Sequence, residues 1–207
     1  MKTVLFQGDS ITDCGRSREE EFDGGYGYAV MTKGELEYRY PGEYVCYNRG
    51  ISGDRIVDIY ARIKKDILNL KPDILSILVG VNDVGHEAYL ENGVDDEKYF
   101  RVYCMLIEEI KAALPDIQIL IMEPFVLKGE ATEPKWEFFN TEVRKRAARA
   151  RKVAEKYGLT FVPLQEKFDE LCKVCPSEYW LLDGVHPSSG GHTMMKDAWI
   201  EAFKSLQ

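Results

Sequence analysis

The chain has 207 residues, of which 45% are hydrophobic and 30% are charged, and its formal net charge is −8. This composition is ordinary for a globular protein, and the length predicts one domain over residues 1–207. The acidic balance argues against nucleic-acid binding, which needs concentrated lysine and arginine. It also argues against binding to anionic membrane surfaces. The basic cluster at 144–152 is predicted to be a solvated helix face.

The N-terminal segment and the cysteines indicate a compartment. The apolar run after Lys2 is too short for a secretory signal, and no run approaches the roughly 20 residues of a membrane span. Five cysteines at irregular spacing form no evident disulfide framework. Cys172 and Cys175 form a C-x-x-C motif with no second pair, and we interpret them as free thiols. We therefore expect a cytoplasmic protein.

Short apolar runs alternate with amphipathic segments along the chain. Buried strands are predicted at 4–6, 43–48, 74–79, 117–122 and 159–164. Amphipathic helices are predicted at 54–69, 95–113, 134–157 and 189–203. This alternation is typical of a parallel sheet with helices on both faces, so we predict a three-layer α/β/α fold. Such folds bind ligands at the carboxyl ends of their strands.

Three polar motifs directly follow predicted strands. Gly8-Asp9-Ser10 follows the first strand, where the glycine permits a tight turn and the serine emerges at the sheet edge. Gly53 lies in a glycine-rich loop after the second strand, where backbone N–H groups can face a ligand. Asn82 follows the third strand, and its amide can face a developing negative charge. Each motif by itself is also compatible with an ordinary turn or helix cap.

A fourth motif lies near the end of the sequence. Asp183 precedes His186 by three residues, and Pro187 prevents a helix from continuing there. A carboxylate in this position can bind one ring nitrogen of the histidine and leave the other for a serine. Together the four motifs supply a nucleophile, a base, a partner for the base and two oxyanion donors. We therefore predict a serine ester hydrolase.

The four motifs match, in order, the sequence blocks of the SGNH (GDSL-like) hydrolases: Gly8-Asp9-Ser10-Ile11, Gly53, Gly80-x-Asn82-Asp83 and Asp183-x-x-His186. The resemblance implies a flavodoxin-like fold with a five-stranded parallel sheet and a triad of Ser10, His186 and Asp183. It also implies an oxyanion hole formed by the backbone N–H groups of Ser10 and Gly53 and by the Asn82 side chain. No cluster has the spacing of zinc ligands, so neither a metal nor a cofactor is expected.

A longer match narrows the resemblance. The segment 6–16, together with Tyr179-Trp180, is similar to intracellular bacterial carbohydrate esterases that deacetylate xylo-oligosaccharides. This implies a small acyl ester as substrate, with an acetylated sugar as the expected partner. Two alternatives stay open: a lysophospholipase or thioesterase of the same family, and a non-catalytic flavodoxin-like binding module. The sequence also leaves open whether the protein forms homo-oligomers.

Four further features lie outside the four motifs. Trp180 either packs in the core or forms a wall of the acyl pocket or a stacking surface for a sugar. His86 is expected to be a loop histidine that could reach the site, and His192 is expected to be structural. The glycine-rich segment 24–27 lacks a phosphate-binding motif and is expected to form a rim of the site. The segments 23–27 and 80–86 together predict an open polar groove without an extended apolar lining.

Overall fold

The computed structural model describes residues 1–20 and 23–206. Its sheet has five parallel strands in the order β2-β1-β3-β4-β5. These strands are β1 (Lys2–Gly8), β2 (Tyr44–Asn48), β3 (Ile74–Leu78), β4 (Gln118–Met122) and β5 (Thr160–Val162). The order is that of flavodoxin-like folds. The predicted five-stranded sheet is confirmed, and each observed strand overlaps its predicted range.

Helices connect the strands and cover both faces of the sheet. They are α1 (Ser10–Asp13), α2 (Tyr28–Arg39), α3 (Ile56–Ala61), α4 (Val81–Leu90), α5 (Asp96–Ala113), α6 (Trp136–Tyr157), α7 (Gln165–Leu171), α8 (Ser177–Trp180) and α9 (Ser189–Phe203). The predicted helix at 54–69 is divided, because α3 ends at Ala61 and a π-helical turn follows at Lys64–Leu68. The sequence pattern did not predict α2 or α4.

The strands bury side chains on both faces, which explains why they appear as continuous apolar runs. Val4 and Phe6 of β1 belong to a core shared with α2 and α9, whereas Leu5 belongs to a second core shared with α3 and α5. Successive residues of a strand point to opposite faces, so each strand contributes to both cores. The sheet is therefore a rigid central layer, and its carboxyl edge is a stable platform for side chains.

The basic cluster on α6 needs one correction. Arg144, Lys145, Arg151 and Lys152 are exposed, as predicted for a solvated face, but Arg146 is buried. Its guanidinium pairs with Glu142 and donates a hydrogen bond of 2.7 Å to the carbonyl of Val94. These partners replace part of the hydration of the buried cation, whereas its Nε has no hydrogen-bond partner among the described residues.

Within 1–20 and 23–206, no helix combines the length and the apolar character needed to cross a bilayer. All five cysteines are free thiols, including Cys172 and Cys175 at the end of α7.

Candidate active site

The candidate site lies where the chain connections diverge at the carboxyl edge of the sheet. β1 lies between β2 and β3, and such a switch in strand order opens a crevice beyond the strand ends. Ser10 follows β1 directly, Gly53 lies in the loop after β2, and Asn82 lies in the first turn of α4, after β3. The fold thus brings the three predicted strand-end motifs to one place.

Ser10 is held at a sharp turn from strand to helix. The Asp9 carboxylate caps α1 by accepting a hydrogen bond of 3.0 Å from the N–H of Ile11. A Cβ at Gly8 would lie 2.4 Å from both the Leu78 carbonyl oxygen and the Thr12 hydroxyl, so only glycine fits there. These two constraints fix Ser10 as the first residue of α1 and leave its side chain half-buried at the edge of the sheet.

Ser10, His186 and Asp183 form a continuous hydrogen-bonded chain. Ser10 Oγ lies 2.9 Å from His186 Nε2, and His186 Nδ1 lies 2.7 Å from Asp183 Oδ2. The other carboxylate oxygen, Asp183 Oδ1, accepts hydrogen bonds from the backbone N–H groups of Val185 and His186 at 2.9 and 2.8 Å. The carboxylate is therefore fixed on its own loop, and it in turn orients the imidazole toward the serine.

The electrostatics of the pair suit a histidine that accepts a proton. Burial raises the pKa of Asp183, but the bonds from the His186 ring and from the two backbone N–H groups outweigh it and lower the pKa to about 2. The hydrogen bond to Asp183 raises the pKa of His186, although burial opposes it. The carboxylate is therefore ionised at neutral pH and stabilises an imidazolium if one forms.

One hydrogen bond joins Asn82 to the loop that contains Gly53. The Asn82 amide nitrogen donates to the carbonyl of Asp54, the residue after Gly53, at 3.2 Å. This bond uses one of the two amide hydrogens and orients the other. Gly53 has φ of +87°, a conformation that other residues rarely adopt, and this sets the direction of its backbone N–H. The two predicted oxyanion donors therefore lie on neighbouring segments.

Two cavities of different character meet at His186. The larger, of about 590 Å³, lies beside Ser10 and has a mixed lining: charged and polar groups such as Asp13, Arg16 and His192 stand beside the apolar side chains of Ile11, Leu182 and Pro187. The smaller, of about 290 Å³, is mainly apolar and is lined by Asn82, His86, Tyr89, Phe139 and Val185.

The predicted polar groove without apolar lining is wrong for 80–86. These residues begin helix α4, and several of them line the smaller, apolar cavity together with Phe139. Tyr26 brings the segment 24–27 to the rim of the larger cavity.

The structure also places His86 and Trp180. His86 lies on α4 and not in a loop, and it lines the smaller cavity together with His186. Trp180 lines neither cavity, because its indole N–H donates to the carbonyl of Leu171 at 3.0 Å and its ring packs beside Gly190. Leu182, two residues later, lines the larger cavity instead.

His192 is buried, and its Nδ1 accepts a hydrogen bond from the N–H of Tyr28 at 3.2 Å. The sequence predicts a structural role for it, and in the structure it also borders the larger cavity.

Three residues that line the larger cavity were not identified from the sequence motifs: Asp13, Arg16 and Leu182. Asp13 and Arg16 do fall within the segment 6–16 on which the narrower resemblance is based. Within the described residues, no group of three or more His, Cys, Asp or Glu side chains could hold a metal ion.

Residues 6–194 match the GDSL-like lipase/acylhydrolase family. The chain therefore belongs to this family, and it is a carboxylic ester hydrolase.

Particular relatives cover almost the whole chain. An acetylxylan esterase of Geobacillus stearothermophilus is 34% identical over 206 residues, which span 95% of this chain and 91% of that protein. Its crystal structure matches with a TM-score of 0.86 at 32% identity and covers 97% of this chain and 93% of that chain. A Parabacteroides merdae structure described as a GDSL-like lipase matches with a TM-score of 0.91 at 37% identity, covering 97% and 94% of the two chains. Two further structures of the Geobacillus esterase are described as catalytic mutants, one with an aspartate and one with a serine replaced by alanine.

Proposed function

We propose that the protein removes acetyl groups from carbohydrate hydroxyls through an acyl-enzyme on Ser10. His186 takes the proton of the serine hydroxyl as the oxygen attacks the ester carbonyl, and it then gives that proton to the departing sugar oxygen. Asp183 stabilises the imidazolium while it carries the proton. A water molecule, activated by the same histidine, then releases acetate and restores the serine.

The observation that carries the proposal is the hydrogen-bonded chain from Ser10 through His186 to Asp183. Both distances fall within the range required for proton transfer between a nucleophile, its base and an orienting carboxylate. The N–H groups of Ser10 and Gly53 and the amide of Asn82 are the proposed donors to the oxyanion. A single donor of this kind is worth about 2.7–4 kcal/mol of barrier.

The substrate class is supported by the relatives and by the larger cavity. The Geobacillus relative is described as an acetylxylan esterase, and structures of it with a serine or an aspartate replaced are described as catalytic mutants. The cavity beside Ser10, at about 590 Å³, lies within the roughly 300–1,000 Å³ typical of small-molecule sites. The charged and polar side chains in its lining, among them Asp13, Arg16 and Tyr26, can form hydrogen bonds with the hydroxyl groups of a sugar.

We also propose that the enzyme acts in the cytoplasm. The five free thiols support this, because reducing compartments keep cysteines unpaired.

The smaller cavity supports a second candidate, a lysophospholipase or thioesterase that hydrolyses longer acyl chains. Its apolar side chains lie beside Asn82 and His186, where an acyl chain attached to the reacting carbonyl could enter. Each methylene that is fully buried there gains about 0.8 kcal/mol. Tyr89 and Leu90 at its wall are 51% and 65% exposed, however, so a chain in this cavity remains partly in water and gains less. We therefore retain acetyl as the preferred group.

The test compares acetylated xylo-oligosaccharides with an octanoyl ester and an acyl-CoA on the wild type, on Ser10→Ala and on Ser205→Ala. Ser205 is an exposed serine in the last turn of the chain and is the matched control. We expect kcat/KM to be highest for the acetylated sugars and to fall by several orders of magnitude in Ser10→Ala alone. Substantial hydrolysis by folded Ser10→Ala would exclude the serine mechanism, whereas a preference for octanoyl or acyl-CoA would favour the second candidate.

A further inference from the structure

Besides His186, three acidic or basic side chains line the larger cavity: Asp13, Arg16 and Arg18. Asp13 is buried, and its carboxylate pairs with the Arg18 guanidinium at 2.5 Å and accepts a hydrogen bond from the N–H of Ser52 at 3.0 Å. The Asp13 carboxylate thus accepts three hydrogen bonds, two of them from the Arg18 guanidinium, whose charge it balances. This leaves Arg16.

Arg16 is anchored only by neutral partners. Its Nε donates to the carbonyl of Gly50 at 2.7 Å, and its Nη1 contacts the carbonyl of Ser17 at 3.4 Å. In the part of the chain that the structure describes, Nη2 has no hydrogen bond and no carboxylate lies within 4 Å of this guanidinium. The side chain is half-buried, and burial followed by repulsion from Arg18 lowers its pKa to about 10. It is thus a protonated but poorly solvated cation at neutral pH.

The remaining groups around this cation do not neutralise it. Burial lowers the pKa of His192 to about 4, so that ring is uncharged at neutral pH. Asp13 lies near enough to favour the Arg16 charge, but Arg18, Arg49 and Arg62 all disfavour it, and the pKa of Arg16 stays below its usual value. In a chain of net charge −8, a cavity beside the nucleophile that has one uncompensated positive charge attracts an anion.

We propose that Arg16 binds a carboxylate on the leaving group, so that the preferred substrates are acylated sugars that carry a uronic acid or a similar monoanion. This inference rests on the proposed function and specifies the alcohol part of the ester. One uncompensated cation matches a single negative charge better than the two charges of a phosphate. The free Nη2 edge offers the N–H donors that guanidinium groups use to bind carboxylates, and the Nε bond to Gly50 holds the group in place.

The experiment compares pairs of acetate esters that differ in charge: 4-acetoxybenzoate with its methyl ester, and an acetylated methyl glucuronide with the corresponding glucoside. For wild type we expect the kcat/KM ratio of anionic to neutral ester to exceed one and to fall as salt is added. Arg16→Gln should lower that ratio about tenfold or more, as expected for loss of a charge-assisted hydrogen bond. Arg16→Lys should retain part of it, and Arg101→Gln, an exposed arginine on α5, is the control that should not change it.

A role for Arg16 in holding the Gly50 loop alone predicts a different result. Both esters of each pair would then lose activity equally in Arg16→Gln, the ratio would not change, and the proposal would be overturned. A wild-type ratio at or below one would overturn it as well. If neither ester is hydrolysed, the proposed function fails, and binding of glucuronate, glucose and glucose 6-phosphate to the wild type, measured by NMR, decides the inference. Tighter binding of glucuronate than of the other two supports it, and equal binding or a preference for the phosphate refutes it.

Discussion

The buried carboxylate of Asp83 accepts hydrogen bonds of 3.1 and 3.3 Å from the backbone N–H of Ile56. Asp83 follows Asn82 in α4, and Ile56 is the first residue of α3, just after the loop that contains Gly53. This contact therefore joins the two segments that carry the proposed oxyanion donors. The Asn82–Asp54 bond lies beside it and connects the same segments a second time.

Asp83→Ala should separate these segments. The Ile56 N–H is buried, and without an acceptor it would cost about 1–3 kcal/mol of unfolding free energy. We expect this loss in urea unfolding, together with a lower kcat for acetyl esters because the donors are no longer held in place. Asp83→Asn keeps an acceptor oxygen and should retain most of the stability and activity. Equal effects of the two variants would show that the hydrogen bond is not what matters.

The sheet and the strand-end motifs could be predicted because both depend on local sequence. Strands buried on both faces appear as short apolar runs, and parallel topology then brings their carboxyl ends together. Helix α4 was missed because Asn82, Asp83 and Gly85 are typical of turns, although Val84 and Ala88 are buried on one side. Helix α2 was missed because Thr32 lies on its buried face, where its hydroxyl bonds to the Tyr28 carbonyl.

Side-chain direction could not be predicted in the same way. Trp180 and Leu182 are two residues apart, yet one packs against α9 and the other lines the larger cavity. Whether a carboxylate pairs with Arg16 also depends on tertiary structure, because Asp13 pairs with Arg18 instead. Contacts of this kind are set by the packing of distant segments, which no local pattern records.

The pH dependence of activity should follow His186. Only the neutral ring can accept the serine proton, so kcat/KM should rise with pH through the pKa of His186, which the bond to Asp183 raises above its usual 6.5. Asp183→Asn removes the charge that favours the imidazolium and should move the midpoint to lower pH. It should also reduce kcat by about 10⁴-fold, as in other triads. An NMR titration of His186 checks the shift independently of activity, and a midpoint that moves to higher pH would contradict the assigned pairing.

Stability should depend on pH through Asp9, which is 1% exposed. Burial raises its pKa to about 7, and within the described residues its Oδ2 has no hydrogen-bond partner. A carboxyl group whose pKa is higher in the folded state contributes stability that is complete below its unfolded pKa, about 3.9, and is lost as the pH rises through 7. Wild type should therefore lose about 2–3 kcal/mol of unfolding free energy from this group between pH 5 and pH 8.

Asp9→Asn tests this, because asparagine keeps the cap on α1 and cannot ionise. Urea unfolding at pH 5 and pH 8 should show a smaller loss for Asp9→Asn than for wild type. Asp116→Asn, at an exposed aspartate, is the control and should follow the wild type. The same loss in all three proteins would mean that Asp9 ionises without cost in the folded state.

Trp180→Ala and Leu182→Ala should have opposite consequences. Trp180 is partly buried against the core and donates to the Leu171 carbonyl, so its removal should cost about 2–4 kcal/mol of unfolding free energy. It should leave the ratio of acetate to octanoate hydrolysis unchanged, because the indole lines neither cavity.

Leu182 is 65% exposed, so Leu182→Ala should change stability by less than about 0.5 kcal/mol. It should raise KM for acetylated sugars, because Leu182 borders the cavity beside Ser10. Urea unfolding and the same ester series on both variants separate the two roles. If acyl preference changes only in Trp180→Ala, the indole must contact the acyl group of the substrate. That result would contradict its placement against α9.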